Sequence, residues 1–196
     1  MADDPTLKFY ADNAAVYAGR ARDLPQAQLD AFLAQLPPGA AILELGTGGG
    51  QDAAHMLERG FAVTPTDASA ALAAQAERRI GRPVRLMRFA ELEEIATYDG
   101  VWASAALLHA PRSELTDDLT RIHRALRPGG LLVASFKAGS EEGRDSLGRY
   151  YNYLQAPALL AHFQAAAPWA DLTLTERAGT GYDNVPTQWL WVSARA

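Results

Sequence analysis

The sequence predicts a three-layer α/β fold, with a mostly parallel sheet between helices and one antiparallel strand. Three observations predict it. Five apolar runs that suit buried strands alternate with segments of helical periodicity between residues 40 and 136. A glycine-rich turn connects the first run to its helix, and two strand-forming segments, 172–175 and 187–193, follow the last helix. The 196 residues suit one domain with a sizeable core.

The first strand and its turn are the most informative part of the chain. The apolar run 40–45 fits a buried parallel strand. Gly46, Gly48 and Gly50 let the backbone turn sharply and approach a ligand without a Cβ in the way. The helix over 52–59 points its unpaired N–H groups into that turn, which suits a nucleotide-like or anionic ligand.

The spacing of the glycines argues against a dinucleotide site. That fingerprint needs glycine at its first, third and sixth positions, and the sixth position counted from Gly46 is Gln51. An ordinary strand–helix turn without a ligand stays open as the alternative.

The composition excludes several classes of function. The net charge of -5 argues against a general affinity for nucleic acid or acidic membranes. The absence of cysteine removes disulfides, thiolate zinc sites and cysteine nucleophiles. The acidic N-terminus lacks the apolar core of a signal peptide, and no apolar run approaches the roughly 20 residues of a membrane span. We therefore expect a cytoplasmic protein.

Residues 7–22 predict one or two short helical pieces. Tyr10 and Tyr17 are seven positions apart, so a helix places them on one face. They either pack on the edge of the domain or close over a bound ligand as a lid. A helix with Asp23 as its N-cap follows and ends before Pro37-Pro38-Gly39.

The second strand covers 61–66, with Asp67 at its carboxyl end. A carboxylate there can accept both hydrogen bonds from a ribose diol. Alternatively Asp67 caps the next helix, over 68–79, although Ser69 is available for that role.

The remaining core elements follow in order. A third strand over 84–89 alternates as an edge strand does, and a fourth covers 98–104. A helix over 111–126 carries its leucines on one face, a turn over 127–130 follows, and the fifth strand covers 131–136.

The segment 138–156 is polar and glycine-rich, and a loop of this length is unusual without a function. Its tyrosines offer apolar faces with hydroxyl groups, which suits a binding pocket. A disordered surface excursion is the alternative. A helix over 157–167 precedes the antiparallel pair that ends the sequence.

Three segments together resemble the class I S-adenosylmethionine-dependent methyltransferases. They are Glu-x-Gly-x-Gly-x-Gly at 44–50, the pair Leu108-His109, and the leucine–arginine–proline–glycine–glycine turn at 126–130. Within the family the chain looks closest to the small bacterial tellurite-resistance-like and small-molecule groups. The resemblance implies a Rossmann-like seven-stranded sheet of order 3-2-1-4-5-7-6. It also implies S-adenosylmethionine as methyl donor, with S-adenosylhomocysteine as the product.

The resemblance assigns roles around the donor. The glycine loop lies at its methionine and ribose part, Asp67 binds the ribose hydroxyls, and Glu44 supports the loop or the donor's amino group. Phe89 stands where many relatives carry an acidic residue for the adenine, which leaves stacking or backbone contacts. The donor-binding residues that we predict are Glu44, Gly46, Thr47, Gly48, Gly50, Asp67, Phe89, Ala90 and Ala103.

The acceptor side is less defined. The methyl group is already activated, so the protein mainly supplies proximity and alignment. His109 is the best candidate for a base, because imidazole titrates near neutral pH, and an ordinary helix-entry residue is the alternative. The predicted acceptor residues are Tyr10, Tyr17, Lys137, Arg144, Arg149, Tyr150 and Tyr151. The cations suit an anionic acceptor or a solvated loop. The other histidines lack ligand spacing, so we predict no metal site.

The predicted domain comprises a helical lid with the first helix (1–36), a donor-binding core (37–137), a substrate loop (138–156), and the last helix with the hairpin (157–196). We expect methyl transfer to a small-molecule acceptor, no nucleic-acid or membrane partner, and a monomer or homodimer. Two other functions stay open: a donor-binding or regulatory protein without turnover, and a nicotinamide-dependent oxidoreductase.

Overall fold

The structure is a computed structural model that describes residues 4–20 and 25–196. Asp23, the predicted N-cap, lies outside these residues. The helices are α1 (Asp4–Asp12), α2 (Ala14–Gly19), α3 (Gln26–Leu33), α4 (Gln51–Glu58), α5 (Ala70–Ile80), α6 (Arg112–Ala125) and α7 (Ala156–Ala166). The strands are β1 (Ala41–Leu45), β2 (Ala62–Asp67), β3 (Arg85–Leu86), β4 (Tyr98–Ala103), β5 (Leu126–Lys137), β6 (Gly143–Arg144), β7 (Tyr150–Tyr151), β8 (Asp171–Thr180) and β9 (Pro186–Arg195).

Seven strands form one sheet of order β3-β2-β1-β4-β5-β9-β8. The first five are parallel, and β9 pairs antiparallel with both β5 and β8. This confirms the predicted order, since β6 and β7 form a separate two-stranded ribbon. β9 is the one antiparallel strand that the prediction required.

The alternating side chains of the central strands fill both faces of the sheet. Ile42 and Trp102 pack with α3 and α4 on one face. Leu43 and Val101 pack with α6 on the other. These four side chains are fully buried, which explains why the sequence of the central strands is almost continuously apolar.

Several segments differ from the expectation. β5 begins at Leu126, so the predicted turn over 127–130 lies within this strand. The third strand covers only Arg85–Leu86, because the chain enters a 3₁₀ turn at Phe89–Glu91. The segment 138–156 is ordered around the β6–β7 ribbon rather than being a surface excursion. Asn152 anchors it, with its amide side chain donating to the carbonyl groups of Leu107 and Ala110 at 3.0 and 3.2 Å.

The two C-terminal strands are longer than the predicted 172–175 and 187–193, because β8 and β9 keep pairing to Thr180 and Pro186. Their shared end therefore extends beyond the end of β5. Within residues 4–20 and 25–196, no helix combines the length and apolar character that crossing a membrane requires.

Candidate functional site

A cavity of about 900 Å³ lies at the carboxyl edge of the sheet, where β4 and β5 end. Parallel sheets bind ligands at this edge. The N-terminal helices, the ribbon and the far end of the β8–β9 hairpin enclose it. The lining residues are Tyr10, Tyr17, Arg20, Pro25, Gln28, Gly46, Ser104, Ala105, Leu108, His109, Ser135, Lys137, Arg149, Tyr151, Arg177, Ala178, Gly179, Thr180, Gly181, Tyr182, Asn184, Trp189 and Trp191.

The glycine loop borders the cavity at Gly46. Gly46, Gly48 and Gly50 have φ of 69°, 57° and 77°, in the left-handed region that favours glycine. A Cβ on Gly46 would also lie 2.8 Å from the Cβ of Ala106, and one on Gly50 would lie 3.0 Å from the Cβ of Ala76. The loop therefore has its shape only with glycine at these positions.

Glu44 and Thr47 stabilise the loop from below. The Thr47 hydroxyl donates to Glu44 Oε2 at 2.6 Å, and the Thr47 N–H donates to the Thr66 carbonyl at 2.8 Å. Glu44 is buried, so this hydrogen bond orients a carboxylate that water does not compete for.

Asp67 ends β2 next to the loop. Its Oδ2 accepts from the Gly48 N–H at 2.9 Å and its Oδ1 accepts from the Ser69 N–H at 2.8 Å. Burial raises the pKa of Asp67 to about 6, against the effect of these N–H donors. Ser69 caps α5 with its own hydroxyl, which accepts from Leu72 N at 3.4 Å. The capping role is therefore filled by Ser69, and each Asp67 oxygen keeps a lone pair for a ligand hydroxyl.

These features fit S-adenosylmethionine. The loop meets the cavity at Gly46, and the buried carboxylate of Asp67 beside the loop offers the acceptor oxygens that a ribose diol needs. Ala103 ends β4 beside this position, and its backbone is fully buried. Phe89 and Ala90 follow β3, whose neighbour Met87 donates its N–H to the Asp67 carbonyl at 3.0 Å.

Helix α2 covers the glycine loop. A Cβ on Gly48 would lie 3.4 Å from the Tyr17 ring, and one on Gly49 would lie 3.0 Å from Ala18 Cα. Arg79 on α5 ties the two together, donating to the carbonyl groups of Gly49 at 2.6 Å and Ala18 at 2.8 Å. Helix α2 thus lies directly over the loop.

His109 follows β4 in a 3₁₀ turn and is buried beneath α1. Its Nδ1 lies 2.6 Å from the Tyr150 carbonyl, which can only accept, so Nδ1 carries the proton. Nε2 is then the acceptor for the Tyr10 hydroxyl, at 2.9 Å. Burial lowers the pKa of His109 to about 4, so the ring is neutral near pH 7.

Arg149 lies at the centre of an aromatic cluster and is 1% exposed. Its guanidinium binds Asp145 Oδ2 through Nε at 2.9 Å and NH2 at 2.5 Å. The rings of Phe9, Tyr151 and Tyr182 lie within 5.4 Å of its central carbon, at 5.1, 5.4 and 5.1 Å. A paired, desolvated cation therefore joins α1, the ribbon and the hairpin.

Lys137 ends β5 with its ammonium at the cavity. Its Nζ lies 3.9 Å from Asp183 Oδ1, 4.5 Å from the centre of the Tyr151 ring and 5.9 Å from that of Trp189. Burial lowers the pKa of Lys137, and the neighbouring Asp183 opposes that shift.

Alternate side chains of the β6–β7 ribbon face opposite sides, so only some of the predicted acceptor residues face the cavity. Arg149 and Tyr151 point into the cavity, whereas the Tyr150 side chain points away and its hydroxyl binds Glu142. Arg144 is exposed and donates to the Gly148 carbonyl at 2.8 Å. Neither Tyr150 nor Arg144 lines the cavity, because alternate residues of a strand face opposite sides. Tyr10, Tyr17, Lys137 and His109 all line it.

One wall of the cavity contains residues that the sequence did not predict as part of the site. Arg20 follows α2 and lies 3.8 Å from the Tyr17 ring centre, while Tyr182 in the hairpin turn stacks on Tyr17 at 5.1 Å. Arg177 and Trp189, on β8 and β9, complete this wall. No local spacing relates these residues, so the sequence pattern gave no signal for this wall.

Residues 42–130 match the family model described as a methyltransferase domain. Among curated proteins, a malonyl-(acyl-carrier protein) O-methyltransferase of Enterobacter lignolyticus is 31% identical over 126 residues, 61% of this chain and 49% of the relative. The chain thus spans about half the length of this relative.

Solved structures share the fold over almost the whole chain. The 1,6-didemethyltoxoflavin-N1-methyltransferase of Burkholderia thailandensis, with bound 1,6-didemethyltoxoflavin and S-adenosylhomocysteine, has a TM-score of 0.73 and 27% identity, covering 96% of this chain and 84% of that one. The 4+2 cyclase SpnF has a TM-score of 0.66 and 18% identity, covering 98% and 92%. At that identity the second likeness shows the fold alone.

Proposed function

We propose that this chain, which is similar to S-adenosylmethionine-dependent methyltransferases, transfers a methyl group to a small-molecule acceptor. The main support for the proposal is Gly46, which belongs to the glycine loop and also lines a cavity of about 900 Å³. A donor held by the loop would present its methyl group to an acceptor in that cavity.

The donor supplies an activated methyl carbon, which the acceptor's lone pair attacks in line as the carbon–sulfur bond breaks and its electron pair stays on sulfur. The glycine loop and the backbone of Ala103 would bind its methionine part, and Asp67 would accept from its ribose hydroxyls. Phe89 and Ala90 would lie near the adenine. Glu44 and Thr47 hold the loop in shape through their hydrogen bond.

The acceptor would bind against Tyr10, Tyr17, Tyr151, Lys137 and Arg149. An acceptor that must lose a proton would give it to the Tyr10 hydroxyl oxygen, while the Tyr10 proton passes to His109 Nε2 at 2.9 Å. The lowered pKa of His109 makes it a weak base. A weak base is sufficient when methylation itself makes the acceptor's proton more acidic. Arg144 and Tyr150 have no place in this proposal, because their side chains lie outside the cavity lining.

The proposal retains the predicted division into lid, donor core (37–137), substrate loop (138–156) and terminal hairpin. A cytoplasmic location, a monomer or homodimer, and the lack of a nucleic-acid partner remain proposals as well. The charge of -5 supports the last of these.

Thermal unfolding of the purified protein with S-adenosylhomocysteine, and separately with NAD, tests the donor class. A ligand that binds only the folded state raises the midpoint of unfolding. We expect S-adenosylhomocysteine alone to raise it. A rise with NAD alone would favour an oxidoreductase and overturn the proposal.

A donor-binding protein without methyl transfer is the second function to test, because donor binding alone does not establish transfer. Incubation with radiolabelled donor and a panel of acceptors separates the two. Label in an extracted product supports the transferase, and tight donor binding without label in any product favours the alternative.

A further inference from the structure

The charged side chains among the described lining residues of the cavity are all cationic. Four cationic side chains contribute to it, from Arg20, Lys137, Arg149 and Arg177, and none of the described lining residues is an aspartate or glutamate. Two carboxylates lie behind the lining and pair with two of the cations, Asp145 with Arg149 and Asp183 with Lys137. The cavity therefore favours a ligand that carries negative charge.

Among the described cations of the lining, Lys137 is a buried one with unused hydrogen-bond donors. Its side chain is 5% exposed, and its contact with Asp183 at 3.9 Å is too long for a hydrogen bond. Across residues 4–20 and 25–196, the ammonium makes no hydrogen bond within 3.5 Å, although it carries three donors. Because Lys137 lines the cavity, these donors are available to an anionic oxygen or nitrogen of a ligand, and hydrogen bonds between charged groups are the strong ones.

Arg149 is less suited to hold the ligand's charge. Asp145 already accepts two of its hydrogen bonds, from Nε and NH2. A third donor points at the Tyr10 hydroxyl at 3.5 Å. Arg149 therefore holds the shape of the cavity, and its charge is balanced within the protein.

The surroundings of Lys137 are flat and aromatic. Lys137 and Trp189 are directly opposite each other in the β5–β9 pairing, and the Tyr151 ring lies on another side of the ammonium. Tyr10, Tyr17 and Tyr182 continue the aromatic surface, with Tyr17 and Tyr182 stacked at 5.1 Å. Faces of this kind bind planar rings by offset or edge-to-face packing.

We propose that the acceptor is a planar aromatic or heteroaromatic acid, bound as its anion, with the anionic atom on the Lys137 ammonium and the ring against Tyr151 and Trp189. This names the acceptor class of the proposed transfer and therefore rests on the proposed function. An acceptor bound as an anion has no proton to lose, so the weak basicity of His109 is no obstacle to its reaction.

The test measures binding to the protein saturated with S-adenosylhomocysteine, by calorimetry at pH 7. The probes are 2-naphthoate, the neutral 2-naphthamide, and the aliphatic monoester anion monomethyl malonate. We expect 2-naphthoate to bind roughly tenfold or more tightly than either of the others, because only it offers both the charge and the ring.

The variant Lys137→Met tests the residue itself. We expect roughly 30-fold weaker binding of 2-naphthoate, with binding of 2-naphthamide and of S-adenosylhomocysteine unchanged. Lys8→Met is the matched control, since Lys8 is an exposed lysine paired with Asp12 on α1. It should leave all three affinities as they are. If Lys137→Met does not fold, the comparison of naphthoate with its amide on the unaltered protein still decides.

Three results would overturn the inference while leaving the donor class intact. They are equal binding of 2-naphthoate and 2-naphthamide, tighter binding of monomethyl malonate than of 2-naphthoate, and no binding of any probe by protein that binds S-adenosylhomocysteine. A failure to bind S-adenosylhomocysteine would instead contradict the proposed function.

Discussion

The proposed donor side and the proposed acceptor side of the site are built by different means. The donor loop and Asp67 come from one continuous segment, β1 to β2, and its key groups are backbone N–H groups and one carboxylate. The acceptor cavity takes side chains from α1–α2, the end of β5, the ribbon and the hairpin. The donor half therefore depends on local backbone geometry, whereas the acceptor half depends on the packing of segments that are distant in sequence.

The strongest test of the acceptor side removes the cation that joins its parts. Arg149→Met leaves Asp145 buried without its charged partner, and breaking a buried ion pair costs about 3–5 kcal/mol. Urea unfolding should show that loss. Arg144→Met, in the same ribbon but exposed, should change the free energy of unfolding by less than about 0.5 kcal/mol. Equal effects of the two variants would mean that the cluster around Arg149 does not hold the cavity together.

The donor side should fail through its backbone. Gly46→Ala puts a Cβ 2.8 Å from Ala106 Cβ, and relieving that contact moves the loop by about 1 Å. A displacement of that size costs about 100-fold in rate in a well-aligned site, so we expect methyl transfer to fall by roughly this factor. We also expect calorimetry to show a loss of affinity for S-adenosylhomocysteine.

Gly39→Ala is the matched control for that loss. Gly39 has a similar positive φ of 72°, but a Cβ there meets nothing within 4 Å. Both variants carry the left-handed strain of about 1 kcal/mol, and only Gly46→Ala should lose donor binding. If Gly39→Ala loses it equally, strain rather than the contact with Ala106 explains the effect.

A smaller effect is expected from Asp67→Ala. Hydrogen bonds to a charged group contribute about 1.5–3 kcal/mol, so donor affinity should fall roughly tenfold or more. Asp118→Ala is the control, because Asp118 on α6 is also a buried carboxyl with a pKa raised to about 6 and does not line the cavity. Unchanged donor affinity in Asp67→Ala would remove this residue from the site.

The raised pKa of Asp67 adds a pH dependence to the same experiment. Its value of about 6 in the folded protein lies above the unperturbed value of about 3.9, so protonation is favoured by folding. In the free protein, the contribution of Asp67 to the free energy of unfolding falls as pH rises from about 4 to about 6. Donor binding needs the ionised form, so affinity should rise from pH 5 to pH 7, and Asp67→Ala should abolish that rise.

The sequence predicts the glycine loop and the place of Asp67 at the end of β2 because their signals are local. The short-range patterns are a buried strand, three glycines and a carboxylate at the end of the next strand. Ser69 caps α5, so Asp67 is left to face the loop. The order of the sheet follows from the same strand–helix repeats and the terminal hairpin.

The acceptor side cannot be predicted from local sequence patterns, because its residues meet only through long-range packing. Tyr10 and His109 are 99 positions apart, and only their packing reveals that the hydroxyl meets Nε2. The alternation that turns Tyr150 outward and Tyr151 inward depends on the register of the two-residue strands β6 and β7, for which the glycine-rich segment gives no periodic signal. Arg20 and Tyr182 share a cavity wall only because the hairpin extends beyond the end of β5.

The position of β9 has a consequence for synthesis of the chain. β5 is the last strand of the parallel core to be made, and its outer edge pairs only with β9, which follows after α7 and β8. A nascent chain therefore exposes an open, apolar strand edge until β9 emerges and inserts between β5 and β8. That interval is when this protein would most need a chaperone.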